Sequence, residues 1–430
     1  MKKYDKYKDS GIEWIGEIPK HWEVVMIKRL SPVKRGASPR PIDDPKYFDG
    51  EGVYSWVRIA DVSSSERYLE NTTQTLSELG SALSVKREPG DFFLSIAGTV
   101  GKPIITKIKC CIHDGFVYFP DLKINPEYLY YIFSTGLPYK GLGKWGTQLN
   151  LNTDSVGEIF IPIHKEIKSI INYLDRKINE IDQLIADKKR LLELYEEEKT
   201  VIINQAVTKG INPDVAMKDS GIAWLGEIPE HWEVRRLSRC FSLIGSGTTP
   251  KAGEEIYYLE GDINWLLTGD LNDWNITTTT KKITNKAIED YSSLKQYPEN
   301  SIVIAMYGAT IGKLGILNIP TTVNQACCVL ANSTLFHYLF AFYLLLAARK
   351  EIINMSYGGG QPNISQELLK SFRMQVPTME EQFSIVQHIE IECTHIDNKI
   401  RRTKKLIDLL TEYRTALISE VVTGKIKITD

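Results

Sequence analysis

No stretch of this 430-residue chain reaches the ~20 consecutive apolar residues that a membrane span requires. The most apolar run, 338–348, falls well short and reads as a buried helix. The opening stretch MKKYDKYKDSGIEW has no apolar core, so no signal peptide is expected. Cysteine is sparse: six residues, two of them adjacent pairs (Cys110–Cys111 and Cys327–Cys328), with no C-x-x-C and no framework spacing. That usage argues against a disulfide scaffold and for reduced thiols in a cytoplasmic protein. Charge is nearly balanced, with a formal net charge of -2. A local basic face that binds phosphate is compatible with such a sum, because acidic helices elsewhere cancel it. With 43% hydrophobic and 25% charged residues the chain is globular, and its length suits two to three domains.

Signatures of chemistry are also missing. A phosphate-cradling loop needs glycines followed by lysine and a hydroxyl residue. Here Gly101-Lys102 is followed by Pro103, Gly312-Lys313 by Leu314 and Gly424-Lys425 by Ile426. No spaced Cys/His set suggests zinc, and His113 beside Cys110 and Cys111 is a weak candidate at most. Cys393 and His395 are placed on a helix seam and its solvated face. The Asn/Asp-Pro-Pro-aromatic run with which adenine amino-methyltransferases hold their target amine does not occur. Neither a catalytic residue nor a metal ligand is assigned.

What is present is a duplication. Residues 8–24, KDSGIEWIGEIPKHWEV, and 218–234, KDSGIAWLGEIPEHWEV, agree at fourteen of seventeen positions at an offset of 210. The copies then diverge, but landmarks recur in order. Gly36-Ala37-Ser38-Pro39-Arg40 answers Gly247-Thr248-Thr249-Pro250-Lys251, and Trp56 with Asp61 answers Trp265 with Asp270. Gly98-Thr99-Val100-Gly101-Lys102 answers Ala309-Thr310-Ile311-Gly312-Lys313, and Ile161-Pro162 answers Val376-Pro377.

A long helical pattern follows each such proline. Ile167, Ile171, Leu174, Ile178, Ile181, Ile185, Lys188, Leu192, Tyr195, Lys199, Ile202 and Ala206 keep a 4-3 spacing. An offset of 215 carries this seam onto Gln382, Val386, Ile389, Cys393, Ile396, Ile400, Thr403, Ile407, Leu410, Arg414, Leu417 and Val421. Lys209-Gly210 with Asn212-Pro213, and Thr423-Gly424, are the breakers. The expected order is a domain at 1–165, a helix at 166–210, a domain at 211–378 and a helix at 379–425. The fold class is α+β: two pseudo-symmetric globular domains joined by two long helices that form an antiparallel coiled coil. Packing of each helix on its own domain alone is the alternative. Within the domains, 91–96 and 301–306 read as buried strands, and 126–134 and 335–349 as helices.

The remaining chemistry suits nucleic-acid recognition. Lys34, Arg35 and Arg40 surround a small-residue turn whose backbone has room to approach a phosphate, and Lys251 ends the second such turn. Lys102 and Lys313 close the Gly-Lys turns. Lys144, Gln148 and Asn150, and then Gln361 and Asn363, lie in glycine loops bearing amides and an aromatic. Amides can make paired hydrogen bonds to adenine in the major groove, and Arg or Lys to guanine. Solvated turns without a ligand are the plainer reading of any one loop. Two near-identical segments on a pseudo-symmetric frame would meet two copies of one partner, with Trp14, Trp22, Trp224 and Trp232 either as candidate contacts or as anchors of each segment to its own domain. Divergent domains on that frame would read two unlike half-sites.

The duplicated W-x-G-x-I-P-x-H-W segment (14–22 and 224–232), the two turn types, the run Gly360-Gln361-Pro362-Asn363-Ile364-Ser365 and the two helices together resemble the specificity subunit of type I restriction–modification systems. The resemblance covers essentially the whole chain. It implies a non-catalytic subunit whose two target recognition domains bind double-stranded DNA at a bipartite site. It implies helices that act as a ruler and bind two methyltransferase subunits, with restriction subunits completing the complex. No cofactor is then expected on this chain, and S-adenosylmethionine, ATP and Mg belong to the partner subunits. No membrane association is implied. Two alternatives remain: a stand-alone sequence-specific DNA-binding protein, and an adaptor built on a coiled coil.

Overall fold

The computed structural model describes residues 2–140, 142, 151–356 and 363–428. They form two compact units. One comprises Met1–Lys189 with Lys405–Asp430, the other Arg190–Lys404, so each unit takes a part of both long helices.

The duplicated segment folds the same way twice. Strand Tyr7–Asp9 pairs antiparallel with Glu17–Pro19, and Met217–Asp219 with Glu227–Pro229, in the same register. The shared KDSGI run explains the turn. Asp9 Oδ1 accepts the Gly11 amide and Asp219 Oδ1 the Gly221 amide, both at 2.9 Å, while Ser10 and Ser220 accept the amides two residues on at 3.1 Å. Side-chain turns of this kind suit Asp, Ser and Gly above other residues. Next comes a strand that pairs with the one preceding the long helix: Glu23–Met26 with Phe160–Ile163, and Glu233–Arg236 with Arg373–Val376.

Between these frame strands the sequences differ, yet the sheets agree. In the first unit a five-stranded sheet runs Lys34–Arg35, Phe116–Tyr118, Phe92–Ser95, Pro103–Thr106, Tyr68–Leu69. In the second the order is Leu243–Ser246, Cys327–Ala331, Ile302–Ala305, Leu314–Leu317, Asn275–Ile276. In both, only the last pair is parallel. A smaller sheet contains a parallel pair in each unit, Tyr54–Val57 with Cys110–Ile112 and Ile263–Leu266 with Thr322–Val323. The buried runs at 92–95 and 302–305 are thus central strands, and all six cysteines are buried free thiols. Pro126–Ser134 and Tyr338–Asn354 are the helices that cover the five-stranded sheets. No helix among the described residues is long and apolar enough to cross a membrane.

The long helices span Ile167–Lys209 and Met379–Val422. In the first unit Leu174, Ile178 and Ile181 share a core with Leu417, Ile418 and Val421. In the second Ile203, Ala206 and Val207 share one with Ile385, Val386 and Ile389. Both are antiparallel pairings, and the helices pack on the domain and on each other at once. Every residue of the two heptad seams is buried or half-buried. Even the polar Gln382 fits, accepting the His337 amide at 2.8 Å and donating to the carbonyls of Leu335 and Pro377.

Each helix ends against a repeated segment. A Cβ on Gly424 (φ +71) would lie 2.4 Å from Pro19, and one on Gly210 (φ +76) 3.3 Å from the Trp232 ring, so glycine serves both the left-handed turn and the close approach.

Candidate nucleic-acid interface

The two basic turns grow from the edge strand of each five-stranded sheet. Gly36 and Gly247 are required there by the chain itself: a Cβ would sit 2.2 Å from the His113 carbonyl oxygen and 1.7 Å from that of Val323. The close backbone approach foreseen towards a phosphate is therefore an approach to the neighbouring strand end. Buried Trp56 and Trp265 lie in the adjoining small sheets, and Trp265 Nε1 donates to the Thr248 carbonyl at 3.3 Å. The Asp landmarks are caps: Asp61 accepts the Arg58 amide and Asp270 the Leu267 amide, both at 2.8 Å.

The first turn is more basic in sequence than in charge. Asp114 forms an ion pair with Arg40 at 3.1 Å, accepts from Ser38 Oγ at 3.2 Å, and offers its carbonyl to Arg35 Nε. Lys34 stays exposed on its strand, with no ion pair among the described residues. At the equivalent place in the second unit stands Gln325, which accepts from Thr249 Oγ1 at 2.6 Å. Lys251 is exposed and pairs with Glu254 at 2.6 Å. Sequence reading missed both Asp114 and Gln325. Each lies more than seventy residues from the turn it serves, and no local pattern points to it.

The Gly-Lys turns join two central strands of each sheet. The Gly101 amide donates to Ser95 and the Gly312 amide to Ala305, both at 2.8 Å, with both glycines at positive φ. Lys313 is exposed. Lys102 is not: its Nζ donates to the Ser63 carbonyl at 2.9 Å, and burial holds its pKa below the ordinary lysine value. An ammonium so held serves its own fold before it serves a phosphate. In the second unit Tyr307 makes a bridge with Asn363, and the Ile364 amide donates to Met306 at 2.7 Å, so the Lys313 turn and Asn363 are neighbours. Lys144, Gln148, Asn150 and Gln361 lie outside the described residues.

Two of the four tryptophans offered as partner contacts are unavailable. Trp22 and Trp232 are 0% and 1% exposed. Trp22 stacks on His164 at 3.7 Å and 5°, and Trp232 Nε1 donates to Glu381 at 3.2 Å. These rings lock the repeated segment to the start of a long helix and have no surface left for a partner. Trp14 and Trp224 are half-buried and lean on the same cores, Trp224 stacking on Phe372 at 5.7 Å.

A profile of the type I restriction modification DNA specificity domain matches residues 19–194 and 229–411. The type I restriction enzyme MjaIX specificity subunit of Methanocaldococcus jannaschii is 25% identical over 435 residues, covering 96% of this chain and 95% of that protein. The EcoR124I/EcoR124II specificity subunit of Escherichia coli is 23% identical over 183 residues, 41% of this chain and 42% of that protein. Among solved structures, a chain from a study of complex assembly in the type I R-M system superposes with TM-score 0.67 at 15% identity, covering 95% of this chain and 99% of that one. The HsdS subunit from Thermoanaerobacter tengcongensis follows at TM-score 0.56 and 14% identity, with 95% and 98% covered. Both share the fold.

Proposed function

Because the chain belongs to the type I restriction–modification DNA specificity family, we propose that it is the non-catalytic subunit that reads a bipartite DNA site, one part with each domain. Segments 1–165 and 211–378 are the target recognition domains in this reading, and 166–210 and 379–425 the spacer helices. The observation that carries it is the pairing of one sheet order with two different surfaces. Where the first unit sets Ser38 against Asp114, the second sets Thr249 against Gln325. One scaffold with two chemistries suits two unlike half-sites. Base edges are assigned to Asn363 and Gln361 in the second unit and to Gln148 and Asn150 in the first. Phosphates are assigned to Lys34, Lys144, Lys251 and Lys313, with Arg35, Arg40 and Lys102 contributing less because their own chain already holds them.

The partners in this reading are double-stranded DNA, two methyltransferase subunits and, in the full complex, restriction subunits. S-adenosylmethionine, ATP and Mg act on those partners. The matched heptad seams support the helices as a ruler. Methylation-aware sequencing of the host genome, with and without this gene, tests the assignment. A bipartite motif with an unread spacer should lose methylation when the gene is absent. Loss of a single contiguous motif, or of none, overturns it.

A further inference from the structure

In each small sheet the parallel strand pair runs out at the rim that also carries the basic turn and the Gly-Lys turn. In the first unit Val57 lies opposite Ile112, so Arg58 and His113 are the first residues beyond the ladder. The Ala37 amide donates to the Ile112 carbonyl at 3.1 Å, which brings the turn of Ser38 and Arg40 to this end. On the other flank Ser63 Oγ and Thr99 Oγ1 are 2.5 Å apart, so the Gly-Lys turn borders the short helix Ile59–Ser64 that follows Arg58. In the second unit Leu266 lies opposite Val323, and the Asn324 amide donates to the Leu266 carbonyl at 3.1 Å. Leu267 therefore stands where the first unit has Arg58, and Asn324 and Gln325 stand where it has His113 and Asp114.

Three cations of the first rim are already committed. Arg40 pairs with Asp114, Arg35 donates to the Asp114 carbonyl and Lys102 to that of Ser63. Arg58 is exposed and makes no ion pair among the described residues. Alternation along the strand puts it on the face of Trp56, two residues earlier, whose ring centroid lies 5.9 Å from that of His113. The matching Trp265 donates to the Thr248 carbonyl, so this is the face on which the basic turn lies. With the flanking turns on the DNA backbone, the strand end between them faces the groove. A free guanidinium there has the paired N–H donors that match O6 and N7 of guanine. Leu267 is half-buried and packs against the cluster of Trp265 and Ile283. The second rim thus puts no cation at this place, and the neighbouring strand end offers the amide of Gln325.

We propose that Arg58 is a base-reading residue: its guanidinium takes a guanine, so the half-site read by the first unit contains a G·C pair at the place this strand end faces. The proposal rests on the reading above and adds a base to it. The second unit, with Leu267 and Gln325 at the matching ends, should hold an A·T pair there, the amide pairing with adenine and the leucine touching the thymine methyl group. One frame then tells two base pairs apart by the side chains at the ends of adjacent strands.

The test uses the full chain assembled with its methyltransferase subunits and a duplex library randomised in both half-sites, read by methylation. The unchanged complex should prefer guanine at the one position that Arg58→Ala alters. There Arg58→Ala should lower the preference at least about fivefold, with the other half-site read as before. Arg58→Gln should move the preference at the same position to adenine, a change that neither a phosphate contact nor a scaffold role produces. Uniform loss over all sequences, with a salt slope shallower by about one, makes Arg58 a phosphate contact and overturns the proposal. An unchanged base profile in both variants, or loss of all methylation in both, overturns it as well. An unchanged complex that methylates no bipartite motif sinks the wider functional reading instead, so the two failures are distinguishable.

Discussion

Asp114 stands between Ser38 and Arg40, accepting from the hydroxyl at 3.2 Å and pairing with the guanidinium at 3.1 Å. It places one anion inside the most basic-looking turn of the chain. Exposed ion pairs of this kind contribute little to stability, about 0–1 kcal/mol, so the pair matters mainly for what Arg40 is free to touch. Asp114→Asn should therefore leave folding nearly unchanged and release Arg40 towards phosphate. The assembled complex should bind cognate and scrambled duplexes more tightly, with a logarithmic salt slope steeper by about one. Binding titrations across a salt series check this, and an unchanged slope counts against a phosphate-facing turn.

Gln325 is the counterpart: it is exposed, its oxygen accepts from Thr249 Oγ1 at 2.6 Å, and its side chain is also within hydrogen-bonding reach of Tyr307. Fixed amides suit direct reading of a base. Gln325→Ala should cost about 1–3 kcal/mol of discrimination at one position of one half-site, while the other half-site is read as before. Methylation of a library randomised in both half-sites measures this directly. Equal loss across all sequences would assign Gln325 to the scaffold.

His164 links the repeated segment to the first long helix and makes the stability of that link depend on pH. Its ring stacks under Trp22, its Nδ1 accepts the Glu166 amide at 3.1 Å, and its Nε2 faces the Tyr128 hydroxyl at 3.1 Å. Burial pushes its pKa down to about 4, outweighing the attraction of Glu166. A proton on Nδ1 would meet an N–H that already donates there. In the unfolded chain the ring titrates near ~6.5, so between ~6.5 and about 4 the unfolded state binds a proton that the folded state refuses. The stability this ring contributes is fully present above pH ~6.5 and declines as the pH falls through that window. Denaturant melts of the full chain at pH 7.5 and pH 5 (about one unit above and about one and a half below the free-histidine value) should show that decline. His164→Gln should be less stable at the higher pH and show a flatter difference. A parent-like slope in the variant would remove His164 as the cause.

The duplication, the seams and the frame were legible because identity at a fixed offset survives wherever packing constrains the side chain. Trp22 and Trp232 show the limit of that signal: repetition marked them, but a buried anchor and an exposed contact repeat equally well, and only burial tells them apart. The sheet order was not legible. Lys34–Arg35 is two residues long and pairs with Phe116–Tyr118, some eighty residues away, and so short a strand carries no periodicity. The seam breaks Lys199 and Arg414 were visible, whereas their partners Asp397 and Asp182 were not, because those carboxylates sit off the seam and join it only once two helices pack. Lys102 looked like Lys313 in sequence, and the Ser63 carbonyl that separates their roles comes from the short helix Ile59–Ser64, 39 residues earlier.

The seams also make the helices testable as a ruler. They run for 43 and 44 residues, or ~65 Å at 1.5 Å per residue. One heptad inserted near Lys188 and one near Thr403 keep both seams in register, since each insertion restores the 4-3 pattern. Every added pair of heptads lengthens the helices by ~10 Å, equivalent to about three base pairs at 3.4 Å each. The unread spacer of the methylated motif should therefore grow by about two to three base pairs while both half-site sequences stay the same. The added base pairs also rotate one half-site by about a quarter of a DNA turn, so activity should fall even where the new spacing is accepted. Methylation mapping on a library of spacer lengths reads both effects. If the lengthened protein folds, methylates DNA and keeps the original spacer, the helices do not set the distance, and the spacing must come from the recognition domains or from the partner subunits.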